Sequence, residues 1–141
     1  MKIIIKNFQK KVPVSPGRIR KAILEVFSQE GPKKSGEITI CFVNDEKIKE
    51  LNLKYLHKNK ATDVLAFNMA ASLDKGRMLA DIIVSAEAAV RNAGIFKTTP
   101  SDELRLYAIH GALHLLGYDD HFRRQRQLMR QKEKYYADTQ D

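Results

Sequence analysis

The stretch HGALHLLGYDDH, residues 110–121, holds three of the four histidines of the chain: His110, His114 and His121. His110 and His114 stand four residues apart, so on a helix their rings leave the same face, with Cβ atoms about 5–6 Å apart. That spacing lets two imidazoles converge on one Zn²⁺ at Zn–N distances of about 2.0–2.1 Å. Gly117 follows, and a glycine can end a helix in the left-handed conformation that other residues resist. The chain then folds back and brings His121 toward the same point. One helix, one turn and one returning residue make a three-ligand site with a position left open.

The surrounding sequence supplies the helix this reading needs. Thr99 is its cap, Pro100 its first residue, and Asp102 sits near the positive end of its dipole. From there Leu104, Ala108 and the two histidines continue to about Leu116. A further helix covers 122–136, FRRQRQLMRQKEKYY.

Upstream, MKIIIKNF (1–8) reads as a strand, its three isoleucines implying burial on both faces. Ser15-Pro16 opens a helix with Ile19, Ala22, Ile23, Val26 and Phe27 at helical spacing, ended by Gly31-Pro32. EITICFV (37–43) is a strand that holds Cys41 as a small core residue. Asn44 caps a helix over 45–55 with Ile48, Leu51 and Tyr55 on its apolar side. A polar loop leads to a strand at 63–68, a turn at 72–77 and a strand at 78–84. Ser85 then caps a short helix closed by Gly94. The order is strand, helix, strand, helix, two strands and three helices. It predicts one α+β domain over residues 1–141, a small mixed four-stranded sheet covered by about five helices.

Composition bounds the function. A charged fraction of 30% and an apolar fraction of 43% are ordinary for a soluble globular chain. No apolar run approaches a membrane span of roughly 18–20 residues, so no membrane partner is expected. The N-terminus lacks the apolar core of a signal peptide, and the single Cys41 suits a reducing compartment, so a cytoplasmic location is expected. The formal net charge of +8, from 25 Lys and Arg against 17 Asp and Glu, favours a polyanionic partner such as nucleic acid.

The pattern H-x-x-x-H-x-x-G is shared with the zinc helix of metzincin proteases. Those enzymes need a glutamate directly after the first histidine as general base, and here that place is Gly111. A peptidase of that type is disfavoured.

HGALHLLGYDDH resembles the signature H-G-x-L-H-L-x-G-Y-D-H of the YbeY endoribonuclease (ribosomal RNA maturation factor) family. Leu51-Asn52 and Tyr55, followed by Lys58, Lys60 and Thr62-Asp63-Val64-Leu65-Ala66-Phe67, look like its L-N-x-x-Y-R…T-D-V-L-S-F segment. Ala80-Asp81-Ile82-Ile83-Val84-Ser85 is similar to its G-D-I-x-I-S segment. The resemblance implies a zincin-like fold and one zinc ion on His110, His114 and His121, with other divalent metals possible. It further implies cutting of single-stranded RNA, in ribosomal RNA processing and ribosome quality control. The partners it implies are ribosomal RNA and the ribosome or its proteins, with DNA not expected.

Two departures stand out. The family's third histidine comes one residue earlier than His121 does here, the added residue being Asp119 or Asp120. Either the turn bulges and His121 ligates, the arrangement favoured here, or Asp120 takes the position. The arginine after the family's tyrosine is Leu56, which passes any phosphate contact to His57, Lys58 or Lys60. With no carboxylate at position 111, Asp119 or Asp120 is the candidate base or orienting group. Arg123, Arg124, Arg126, Arg130, Lys132 and Lys134 lie just beyond the site in sequence, as salt-sensitive phosphate contacts would. Tyr118 and Phe122 flank the turn, where they could stack on unpaired bases. The rival readings are a non-catalytic RNA- or ribosome-binding assembly factor with a structural metal, and a metallohydrolase of another ester or amide.

Overall fold

A computed structural model describes residues 1–31, 35–69 and 77–138. Its elements are β1 (Lys2–Asn7), α1 (Pro16–Glu30), β2 (Ser35–Val43), α2 (Asp45–Leu56), β3 (Val64–Asn68), β4 (Arg77–Ser85), α3 (Ala86–Phe96), α4 (Pro100–Leu115) and α5 (Arg123–Asp138). The sheet runs β1-β2-β4-β3, with β1, β2 and β4 parallel and β3 antiparallel to β4. This is the α+β arrangement that the order of hydrophobic segments predicts: a mixed four-stranded sheet and five helices. Pro32 and residues 72–76 of the expected turn lie outside the described residues.

Alternation along the strands assigns the two faces of the sheet. Ile38, Ile40 and Phe42 of β2 and Ala80, Ile82 and Val84 of β4 share the main core with residues of α1 and α4. On the opposite face Val43, Leu65 and Ile83 form a smaller cluster with Ile48 of α2. The run Ile3-Ile4-Ile5 is only partly covered: Ile3 is buried, while Ile4 and Ile5 are half-buried. α1 packs against β1, whereas α2 on the opposite face of the sheet packs against β3 and β4, so one face of β1 is left less covered.

Three helices begin on side-chain caps. Asn44 Oδ1 accepts from the Lys47 amide at 2.9 Å, Ser85 Oγ from Ala88 at 3.1 Å and Thr99 Oγ1 from Asp102 at 3.1 Å, each contributing about 1 kcal/mol. Before α1, Ser15 occupies the cap position without a side-chain cap bond. Gly94 does not close α3. The helix runs on to Phe96, and Lys97 (φ 56°) turns left-handed with its amide on Ala93 O. Pro100 bars a longer helix, because a proline inside one removes a backbone bond and clashes with the preceding turn.

α4 positions the site. It packs against α1, α3, α5, β3 and β4 and buries Leu104, Tyr107, Ala108, Ile109, Ala112 and Leu113. At Gly111 a Cβ would lie 2.7 Å from Ile82 Cγ2 and 3.3 Å from Val64 Cγ2. The helix therefore rests directly on the sheet at the residue after His110, and a side chain there would force Ile82 or the helix to shift. That contact and the buried stripe fix the rotation of α4, which leaves His110 and His114 at its rim.

Candidate metal centre

The end of α4 is closed by a pair of backbone bonds. The Tyr118 amide donates to Leu113 O at 3.0 Å and the Gly117 amide to His114 O at 3.0 Å, with Gly117 at φ 99°. This 6→1 and 5→2 pairing is the Schellman motif, which needs a left-handed residue where Gly117 stands. It reverses the chain three residues after His114, at Gly117, and sends Asp120 back toward the histidines.

The two imidazole rings meet edge to face with centroids 4.6 Å apart. Asp120 Oδ2 lies 3.7 Å from His110 Nε2 and 3.7 Å from His114 Nε2. The ligand atoms of His110, His114 and Asp120 all fall within 4.8 Å of one another, so this group could hold a metal ion. Two ligand atoms each about 2.1 Å from a tetrahedral ion are themselves about 3.4 Å apart. The observed separations therefore suit a zinc-sized cation with small adjustments, and the donor types are ones such cations take.

A second carboxylate stands behind the first histidine. Glu133 of α5 is hydrogen-bonded through Oε1 to His110 Nδ1. Burial by itself would lower the His110 pKa. The bond and charge of Glu133, helped by Asp63 and Asp120, outweigh it and raise the pKa above the ordinary histidine value. For His114 burial also comes first, and the neighbouring His110 adds to it. Asp120, Asp119 and a bond to the Tyr118 backbone oppose them, and the result is a lowered pKa.

His121, the expected third ligand, lies outside this group. Its side chain is 78% exposed, and its Nε2 faces Asp119 Oδ1 at 3.7 Å. Asp120 and His121 are adjacent, and in this irregular turn their side chains point in different directions. With Asp120 turned toward the histidines, His121 turns away. Local bonds hold this arrangement: the Asp120 amide donates to Asp119 Oδ1 at 2.7 Å, and Arg126 Nη1 donates to His121 O at 2.9 Å.

The group opens into a cleft of about 680 Å³ between the loop after α2, strand β3 and the turn after α4. Lys58 and Lys60 line it, as do His114, Asp119, Asp120 and His121, and Leu56 stands on its wall. Asn52 supports the basic loop: it is buried, and its Nδ2 donates to Lys60 O at 3.0 Å. Tyr118 lines the cleft and is held in place, packing against the main core and donating its hydroxyl to Glu30 Oε2 at 2.8 Å. Phe122 is 71% exposed. Glu133 escaped the sequence reading because it sits in the charged run RQKEK. The available signal was its phase: Met129, Glu133 and Tyr136 share one helix face, and the two flanking members are buried.

A mixed sheet, a helix bearing an H-x-x-x-H pair and a carboxylate returned to it by a glycine turn together make a candidate metal site in an α+β fold. A family profile described as Endoribonuclease YbeY matches residues 4–140. A protein of Pelotomaculum thermopropionicum named endoribonuclease YbeY is 36% identical, over 94% of this chain and 93% of its own length. One of that name from Syntrophus aciditrophicus is 37% identical over 84% of this chain and 76% of its own length. The solution structure of TM1509 from Thermotoga maritima superposes with a TM-score of 0.64 at 26% identity, covering 98% of this chain and 88% of the other. The chain belongs to the YbeY family.

Proposed function

We propose that this chain is a metal-dependent endoribonuclease that cuts single-stranded RNA during ribosomal RNA maturation. The observation that carries the reading is a group that could hold a cation, His110, His114 and Asp120, at a wide cleft that Lys58 and Lys60 also line. Family membership supports it, through relatives named endoribonuclease. Zinc is the ion we assign, because two imidazoles and one carboxylate are a donor set of catalytic zinc sites. We place the protein in the cytoplasm, at the ribosome, where its substrate is formed. No helix among the described residues is long and apolar enough to cross a membrane.

When bound, the ion supplies Lewis-acid stabilisation of charge building on the scissile phosphate. The side chains do the rest. Lys58 and Lys60 hold flanking phosphates, taking the part that Leu56 cannot. His121, which lines the cleft with its Nε2 3.7 Å from Asp119 Oδ1, is the group we assign to give a proton to the oxygen that leaves phosphorus as the P–O bond breaks. The exposed ring of Phe122 offers a face to an unpaired base, and the arginines at the start of α5 extend the positive surface away from the cleft.

Cleavage of a single-stranded RNA oligonucleotide by purified protein, with zinc and after chelation, tests this. Cleavage is expected to need metal and to vanish in His114→Ala, with duplex RNA and single-stranded DNA left intact. RNA binding with no cleavage at any metal loading would replace the enzyme with a binding module. Hydrolysis of a peptide or simple ester in preference to RNA would move the substrate class.

A further inference from the structure

We propose that Glu133 is a positioning residue of the centre: its carboxylate fixes His110 with the proton on Nδ1, leaving the Nε2 lone pair aimed at the cation. The inference rests on the metal reading above and deepens it by making α5 part of the site.

The geometry starts from the helix. Met129 and Tyr136 are each 1% exposed, and Glu133 lies between them on the same inward stripe. Packing alone would put an apolar residue there. A carboxylate in that place is desolvated, which is unfavourable unless it is paired. The Glu133 side chain is 17% exposed, and the bond to His110 Nδ1 is the partner that offsets its burial. An ionised carboxylate offers acceptors only, so it selects the imidazole tautomer that carries hydrogen on Nδ1. The other ring nitrogen, Nε2, is the atom facing Asp120 Oδ2 at 3.7 Å. Tautomer and direction therefore agree, as they do where metal-bound histidines are held by carboxylates.

α5 is anchored so that Glu133 keeps this place. Glu30 at the end of α1 receives Lys132 Nζ at 2.7 Å and the Tyr136 hydroxyl at 2.8 Å. These residues flank Glu133 in sequence and limit how far the helix can slide or turn.

The test uses the full chain with Zn²⁺ alone as the probe. Zinc affinity is measured by chelator competition for wild type, Glu133→Ala and Glu133→Gln. Long-range ¹H–¹⁵N spectra of the metal-free proteins in mildly alkaline buffer report which His110 nitrogen carries hydrogen. Wild type is expected to show hydrogen on Nδ1. Glu133→Ala is expected to lose that signature and bind zinc about 10–100-fold more weakly. Gln keeps the shape and a hydrogen bond but offers both donor and acceptor, so a mixed tautomer and a loss of about tenfold are expected.

A merely structural Glu133 predicts that the Gln variant matches wild type in both readouts, and that result overturns the proposal. Should Glu133→Ala fail to fold, the Gln variant still decides. Wild-type protein that binds no zinc sinks the metal reading; the tautomer of His110 in Glu133→Gln then still tells whether Glu133 sets the ring.

Discussion

α4 and the turn that follows it contribute to the same cluster on very different terms. His110 and His114 stand on a helix that the core holds from five sides, with Gly111 seated against Ile82 and Val64. Residues 119–121 are held by two local bonds, from the Asp120 amide to Asp119 and from Arg126 to His121 O. Insertion of one residue into α4 would rotate both histidines by about 100° and unpack the sheet contact. One residue inserted into the turn changes only which side chain is delivered. On the proposed reading, the helix fixes where a cation would sit and the turn decides which side chain is offered as third ligand.

The largest expected effect tests this division directly. His114→Ala removes a ligand from the rigid part, and zinc affinity should fall by more than about a hundredfold while the fold survives. Asp120→Ala should fall in the same way, whereas His121→Ala should change zinc affinity by less than about threefold and lower RNA cleavage instead. Metal analysis of the three purified variants checks it. Zinc kept by Asp120→Ala and lost from His121→Ala would reverse the assignment made from the turn.

A sharper version removes the added residue. Deleting Asp119 returns the histidine to the spacing that the family signature carries. In that shortened chain His121→Ala should weaken zinc by about tenfold or more, against the small change expected in the full-length turn. If the same substitution stays harmless after the deletion, turn length is not what excludes His121.

The same contrast explains what could be read without coordinates. The fold and the histidine pair were legible because periodicity, caps and Gly117 all act locally: Thr99 caps α4 and Gly117 takes positive φ where the sequence says they should. The limits of β1 burial and of α3 were not, since they depend on which strands α2 covers and on where the chain must turn before Pro100. The third member of the cluster was open because Asp120 and His121 are adjacent and both are residue types that can ligate metals, so only their orientation separates them. Glu133 could not be found from spacing to the histidines. It arrives from a different helix through tertiary packing.

Gly111 offers a smaller test of the rigid region. Its replacement by Ala puts a methyl 2.7 Å from a side chain that is fully buried, so Ile82 must shift or α4 must lift. Overpacking of this kind costs about 1–3 kcal/mol, readable as a lower denaturant midpoint with little change in m value. Stability equal to wild type would mean that α4 can move on the sheet, and would weaken the claim that it sets the histidines. The metal-helix glutamate of the proteases, introduced as Gly111→Glu, should be worse still. This position is closed by packing, whatever chemistry a carboxylate there would allow.

Glu30 carries the smallest effect, and it ties the turn to α1 and α5. Its carboxylate, 13% exposed, accepts from Tyr118 of the turn and from Tyr136 of α5, and pairs with Lys132. Burial raises its pKa, but the bonds from Lys132, Tyr118 and Tyr136 outweigh that, and the pKa lies below its ordinary value of 4.5. A carboxylate so depressed stabilises the fold fully above its unfolded value, and the contribution is lost as pH falls through the lower, folded one. Glu30→Gln keeps some of the hydrogen bonding and loses the charge, so about 1–2 kcal/mol should be missing at neutral pH. The gap to wild type should close as pH drops below about 4.5. Urea titrations of both proteins across that range measure it. A gap that stayed constant with pH would assign the loss to packing and would leave the turn fastened by its backbone bonds alone.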